Sequence, residues 1–193
     1  MHVRASHIRG MHVVDDSTQF LVGLIDHPLI QPDTGTIIGF FVLSVQGMGD
    51  SILFLSTLDI VQWGTVVHIR SEDVLAPPHE LVRLEESLHE RRTILSQPIR
   101  VRPGGVTLGR CVDVQFDTAT YFIEWLFPRR WYLMRDPIPV TEIIEVTKNA
   151  IWVKPPLRVL PEKKTEKTME RPILPATDSA VATMQRDPPS HTS

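Results

Sequence analysis

Cysteine is scarce in this chain: Cys111 is the one cysteine among 193 residues. That excludes an intrachain disulfide and any cysteine-rich zinc site. With no oxidative stapling in view, the expected compartment is the cytoplasm. An excess of one charge is lacking too. Twenty Lys and Arg against 23 Asp and Glu leave a net charge of −3 and a pI near 6.2, so no global field recruits nucleic acid, though a local basic patch stays open. Long hydrophobic runs are also missing. The longest, 37–43, is broken by Gly39 and falls far short of the roughly 20 residues a spanning helix needs. The first ten residues hold no apolar core of a secretory leader. At 42% hydrophobic and 22% charged residues, the expectation is a soluble globular protein.

What the chain does have is a repeat. Leu108-Gly109-Arg110-Cys111-Val112-Asp113-Val114-Gln115-Phe116-Asp117 is echoed by Val22-Gly23-Leu24-Ile25-Asp26-His27-Pro28-Leu29-Ile30, followed by Asp33-Thr34-Gly35. Each copy has an apolar residue, a glycine, an apolar run carrying Asp, and a turn built on Asp-Thr. A glycine inside a strand marks a bulge or a close backbone approach, useful where a sheet must curl. Around these stretches the β-branched and aromatic segments 37–45, 52–55, 65–69, 94–101, 121–127, 140–146 and 150–153 read as further strands. The segment at Glu142-Ile143 matches Asp59-Ile60. The predicted organisation is mainly β: a first small strongly bent barrel over 1–76, a bridging amphipathic helix over 77–92 with Leu81, Leu84 and Leu88 at helical spacing, and a second barrel over 93–154. Residues 155–193, rich in Pro, Lys, Glu, Thr and Ser, read as a disordered tail.

This pattern resembles a tandem pair of PRC-barrel domains, the family named for the photosynthetic reaction-centre H subunit and shared with ribosome-maturation factors. Three features carry the resemblance: 94–101 followed by Gly104-Gly105 and the 108–117 stretch; the closing Ile138-Pro139 with Ile143 and Trp152-Val153; and Ile8-Arg9-Gly10-Met11 with Gly23 and Asp33-Thr34-Gly35-Thr36-Ile37. In the second copy Ala119 stands where glycine would complete the turn. The resemblance implies an interaction module with no shared catalytic site, and a fold alone does not assign a function.

No residue cluster reads as a catalytic centre. Asp113 and Asp117 share one face of a strand and suit turn capping or pairing with Arg110 better than acid–base work. His2, His7 and His12 match no metal-ligand spacing. Cys111 sits in an apolar strand with no base placed beside it, which fits an inert thiol. Gly104-Gly105 precedes no helix and cradles no phosphate. One surface signal is sharper. Phe127-Pro128-Arg129-Arg130-Trp131-Tyr132 puts Arg129 and Arg130 beside Trp131 and Tyr132 at a hairpin tip, and these residue types are enriched at binding hot spots and at RNA-gripping surfaces. Trp63 is a second candidate in the first unit. The expected function is a non-catalytic adaptor that binds a protein partner without cofactor or metal; pseudo-twofold pairing of its two barrels and a homodimer both stay open. The alternatives are an RNA- or ribosome-associated maturation factor and, more weakly, a membrane-peripheral accessory subunit.

Overall fold

Alternation of buried and exposed side chains makes strands of the apolar segments, with β7 (Val67–Ile69) and β14 (Ile151–Val153) each burying their two end residues. The structure is a computed structural model that describes residues 1–45, 51–81, 90 and 92–155. The body of the expected bridging helix, the 46–50 turn and the tail from 156 onward lie outside the described residues; Pro78–Glu80 forms one 3-10 turn. The strands of the first half are β2 (His12–Asp15), β3 (Leu21–Gln31), β4 (Thr36–Ser44), β5 (Ile52–Ser56), β6 (Ile60–Trp63) and β7. Those of the second are β8 (Pro98–Val101), β9 (Thr107–Asp117), β10 (Ile123–Arg130), β11 (Leu133–Met134), β12 (Ile138–Pro139), β13 (Ile143–Val146) and β14. The expected strand over 94–101 begins only at Pro98; Ser96 before it has a φ of 67°.

The protein is mainly β, in two mixed sheets. The first runs β5-β4-β3-β2-β7-β6 and the second β11-β10-β9-β8-β14-β13, with β12 also on β10. In each, one parallel pair (β2 with β7, β8 with β14) brings the last strand back to the first. The halves match residue for residue at an offset of 86 up to β10: Val13 pairs with Gly23 as Ile99 pairs with Gly109. Even the irregularities are duplicated. Val22, Asp26, Ile38 and Val61 are skipped in the first ladder, and Leu108, Val112, Glu124 and Ile144 at the corresponding places in the second. Each bulge bends its strand and raises the local twist, so two similar sets of bulges give two similarly coiled sheets. A 3-10 turn precedes β6 (Thr57–Asp59) and another precedes β13 (Val140–Glu142), which bears out the match of Asp59-Ile60 with Glu142-Ile143.

Neither sheet closes into a barrel, contrary to expectation. The chain leaves β5 for β6 through the 3-10 turn, a corner instead of a ladder, so both remain sheet ends. The turn equivalence also needs correcting. Four hairpin turns share one form, with the amide of Gln19, Gly35, Gly105 or Tyr121 donating to the carbonyl four residues earlier. All four closing residues are left-handed, with φ between 58° and 71°, as in loops built on a type I turn. Tyr121, not Ala119, therefore stands where Gly35 stands in the first copy.

The sheets meet where these turns meet. Ile37 N donates to Tyr121 O at 2.8 Å and Ile123 N to Gly35 O at 3.0 Å, and Thr36 bridges Phe122. Each contact maps onto the other when the halves are exchanged, the mark of twofold packing. β1 (His2–Arg4) pairs with β9 of the second sheet. Behind it α1 (Ala5–Ile8) buries Ala5 and Ile8, and one core runs through both halves.

Candidate interaction surface

The sharpest exposed feature lies at the far end of β10. Arg129 pairs with Met134 and Arg130 with Leu133, leaving Trp131 and Tyr132 as a two-residue turn. Such turns need positive φ, usually from glycine or asparagine; here Trp131 supplies it at 59°. A bulky residue in that region is a conformational outlier, and outliers of this kind gather at functional sites. Trp131 is 83% exposed, Tyr132 93%, Leu133 68% and Met134 50%. Four consecutive large side chains thus face solvent on one tip.

Beneath the tip is a cleft of about 320 Å³. Val106, Leu108, Pro128, Ile138 and Val153 give it apolar walls, and Arg130, Arg135 and Lys154 line it with Asp136 and Glu142. Arg135 N donates to Pro128 O at 2.9 Å, which folds the chain back after β11. Lys154 Nζ donates to Thr141 O at 3.2 Å. Among the described residues no carboxylate forms an ion pair with Arg129, Arg130 or Arg135. The arrangement offers apolar and aromatic area bordered by cations, and it places no nucleophile beside a base.

Of the residues singled out in the sequence, the structure brings Arg129, Arg130, Trp131 and Tyr132 together. Trp63 lies elsewhere, half-buried between the sheets, where its ring packs 5.5 Å from Phe40 and 6.2 Å from Phe116. Its Nε1 donates to Tyr121 Oη at 3.0 Å. Val106, Arg135, Ile138 and Lys154 were not foreseen. The one signal for Arg135 is that 131–135 carries large side chains without the alternation a half-buried strand requires.

Among the remaining polar candidates His7 and His12 are exposed, and the others have structural partners. Asp113 accepts hydrogen bonds from Ser6 N at 3.0 Å and Ser6 Oγ at 2.5 Å, tying α1 to β9. Asp117 accepts from Ala119 N at 3.2 Å, capping its turn, while Arg110 turns away to Ser96 O. Cys111 is fully buried, and burial pushes its thiol up to about 12, where it stays protonated and unreactive. His2 meets Glu124 at 2.8 Å. No group of three or more metal-ligating side chains occurs among the described residues, and none of their helices is long and apolar enough to cross a membrane. No model of a known protein family matches the chain, and no curated protein matches it either.

Proposed function

We propose that this protein is a non-catalytic interaction module, two PRC-type β units in one chain, and that it binds a protein partner through the Trp131 hairpin and the cleft beside it. The observation that carries this reading is the tip itself, with four adjacent large side chains held out on a left-handed turn. Exposed aromatic and arginine anchors bordering an apolar pocket are the composition of binding hot spots. The duplicated topology, with a parallel pair in each half, supports reading the chain as two like β units.

The test is a quantitative pull-down from native lysate with wild-type chain and the W131A/Y132A variant, each with and without RNase. Both side chains are exposed, so unfolding free energies should agree within about 0.5 kcal/mol. Partners captured by the wild type should drop at least tenfold with the variant and survive RNase. Identical capture by both proteins would remove the hairpin from the reading.

A second reading rests on the cations that surround the tip, Arg129, Arg130, Arg135 and Lys154. They suit an RNA or ribosome-associated factor, in which aromatics stack bases while arginines meet phosphates. In that case capture is RNase-sensitive, falls steeply with salt, and weakens in R129A/R130A.

A further inference from the structure

At one place the two halves are filled differently. On one side of the pseudo-twofold axis Tyr121 reaches from its turn onto Trp63, their ring centroids 6.5 Å apart and joined by the indole-to-phenol hydrogen bond. The twofold-related positions are Gly35 for Tyr121 and Val146 for Trp63, since Trp63 pairs with Val67 as Val146 pairs with Ile151. Both rings are gone there. What stands in their place is a cleft of about 410 Å³. Its deep wall is aliphatic, from the buried Ile94 and Val146 with Val140 and Ile143. Among the described residues, a Cβ placed on Gly35 would meet nothing nearer than Val140 Cγ1 at 3.8 Å, so none of them occupies the position that Tyr121 fills on the other side.

We infer that this cleft is a binding site for a single uncharged aromatic ring, the group that the molecule itself supplies in its other half. Its size lies at the small end of ligand pockets. The polar lining points the same way. Arg92 donates to both oxygens of Asp33, at 2.5 and 2.7 Å, and to Glu90 at 2.6 Å. These bonds hold the Asp33 carboxyl below its ordinary range. A guanidinium whose N–H edges are committed to two carboxylates has its flat face left to offer, and that face attracts an aromatic ring. The carboxylates that line the cleft, Asp33 and Glu145, already pair with arginines, Asp33 with Arg92 and Glu145 with Arg102, an arrangement that disfavours a charged ligand. The site is separate from the Trp131 hairpin and does not depend on the proposed function.

The test is methyl NMR of the full chain titrated with p-cresol, the side-chain analogue of tyrosine, with cyclohexanol as the aliphatic control. Saturable shifts should appear at the methyls of Val140, Ile143 and Val146, with a Kd on the order of millimolar for so small a probe, and cyclohexanol should bind at least fivefold more weakly. Gly35→Tyr supplies the ring internally and should weaken p-cresol at least tenfold; Tyr121 already holds a φ of 58° at the equivalent turn position. Val140→Phe fills the cleft from the opposite wall without touching the left-handed residue and should do the same, should Gly35→Tyr not fold. A blocked Ala-Tyr-Ala peptide separates two sources: binding as tight as p-cresol identifies a partner's tyrosine, and peptide exclusion a free aryl compound. Absence of saturable shifts, equal binding of cyclohexanol, or binding unchanged in both variants overturns the inference.

Discussion

The two halves of this molecule keep one backbone and fill it with two kinds of side chain. Their strands, turns and bulges coincide in register, yet Phe40 answers to Leu126, Phe116 to Ile30, Trp63 to Val146 and Tyr121 to Gly35. The first member of each pair belongs to a cluster of four rings; the second members are aliphatic or glycine. What is duplicated is therefore the set of instructions for bending a sheet, and those tolerate wide change in what packs against them. Packing of this kind keeps volume on one side and gives it up on the other, which is how a near-symmetric protein acquires one filled and one open notch.

The largest expected effect comes from breaking the filled side. Phe116 is fully buried, and Phe116→Ala should cost about 3–5 kcal/mol. Its counterpart Ile30 is only partly buried, and Ile30→Ala should cost about 1–2 kcal/mol. Urea midpoints at an unchanged m-value measure both. Equal losses would mean that the aromatic cluster contributes no more than the aliphatic side.

A smaller effect, on what the halves share, comes from their paired glycines. A Cβ on Gly109 would press on the backbone of Arg129, with O at 2.7 Å and C at 2.9 Å, and its φ is 153°. On Gly23 it would strike Val42 Cγ1 and, at 2.7 Å, Leu43 O. Each glycine lets two strands cross closely beside a bulge. Gly109→Ala and Gly23→Ala should each destabilise by about 1–3 kcal/mol, the former by more because its φ is unfavourable as well. A neutral result at either position would separate the repeat from any need for glycine there.

These glycines were also what made the repeat visible in the sequence. Gly23 and Gly109 stand at equivalent places because the backbone leaves no room for anything else, so composition records geometry directly. Gly35 and Gly105 announce their turns for a different reason, the left-handed φ of 71° and 67° that the turns require. The other two turns, legible at Asp15–Ser17 and Asp117–Thr120, close on Gln19 and Tyr121, residues that rarely adopt a left-handed conformation, so no glycine marks their last position; aligning the copies on the Asp-Thr dipeptide therefore sets Ala119, and not Tyr121, against Gly35. The exposed hairpin was legible at Arg129–Tyr132 because arginines beside aromatics break strand alternation. Its cleft was not, since Val106, Ile138 and Lys154 come together only when β9, β12 and the end of β14 are folded. Trp63 shows the converse: a large aromatic reads as an interface anchor until the fold gives it Phe40, Phe116 and Tyr121 as neighbours.

The subtlest difference between the halves is electrostatic. Asp15 occupies the place that Val101 holds in the second half. Buried, it accepts hydrogen bonds from Ser17 Oγ at 2.6 Å, Ser17 N at 2.8 Å, Thr18 N at 3.0 Å and Glu72 N at 2.9 Å. These donors, the Ser17 hydroxyl first and the Glu72 amide next, hold its carboxyl far below the ordinary value of 3.8, against the opposing pull of burial. In the unfolded chain that carboxyl takes its proton near the ordinary value, and in the folded chain only at much lower pH. Its contribution to stability is therefore complete above about pH 5 and drains away as the pH falls through the acid range. Asp15→Val, which installs the second half's residue, should lower stability at pH 7 by stranding the Glu72 and Thr18 amides. It should also flatten the decline in stability between pH 5 and pH 2.5. Wild-type and variant curves that run parallel through that window would show that the carboxylate, for all its hydrogen bonds, is no better held in the folded chain than in the unfolded one.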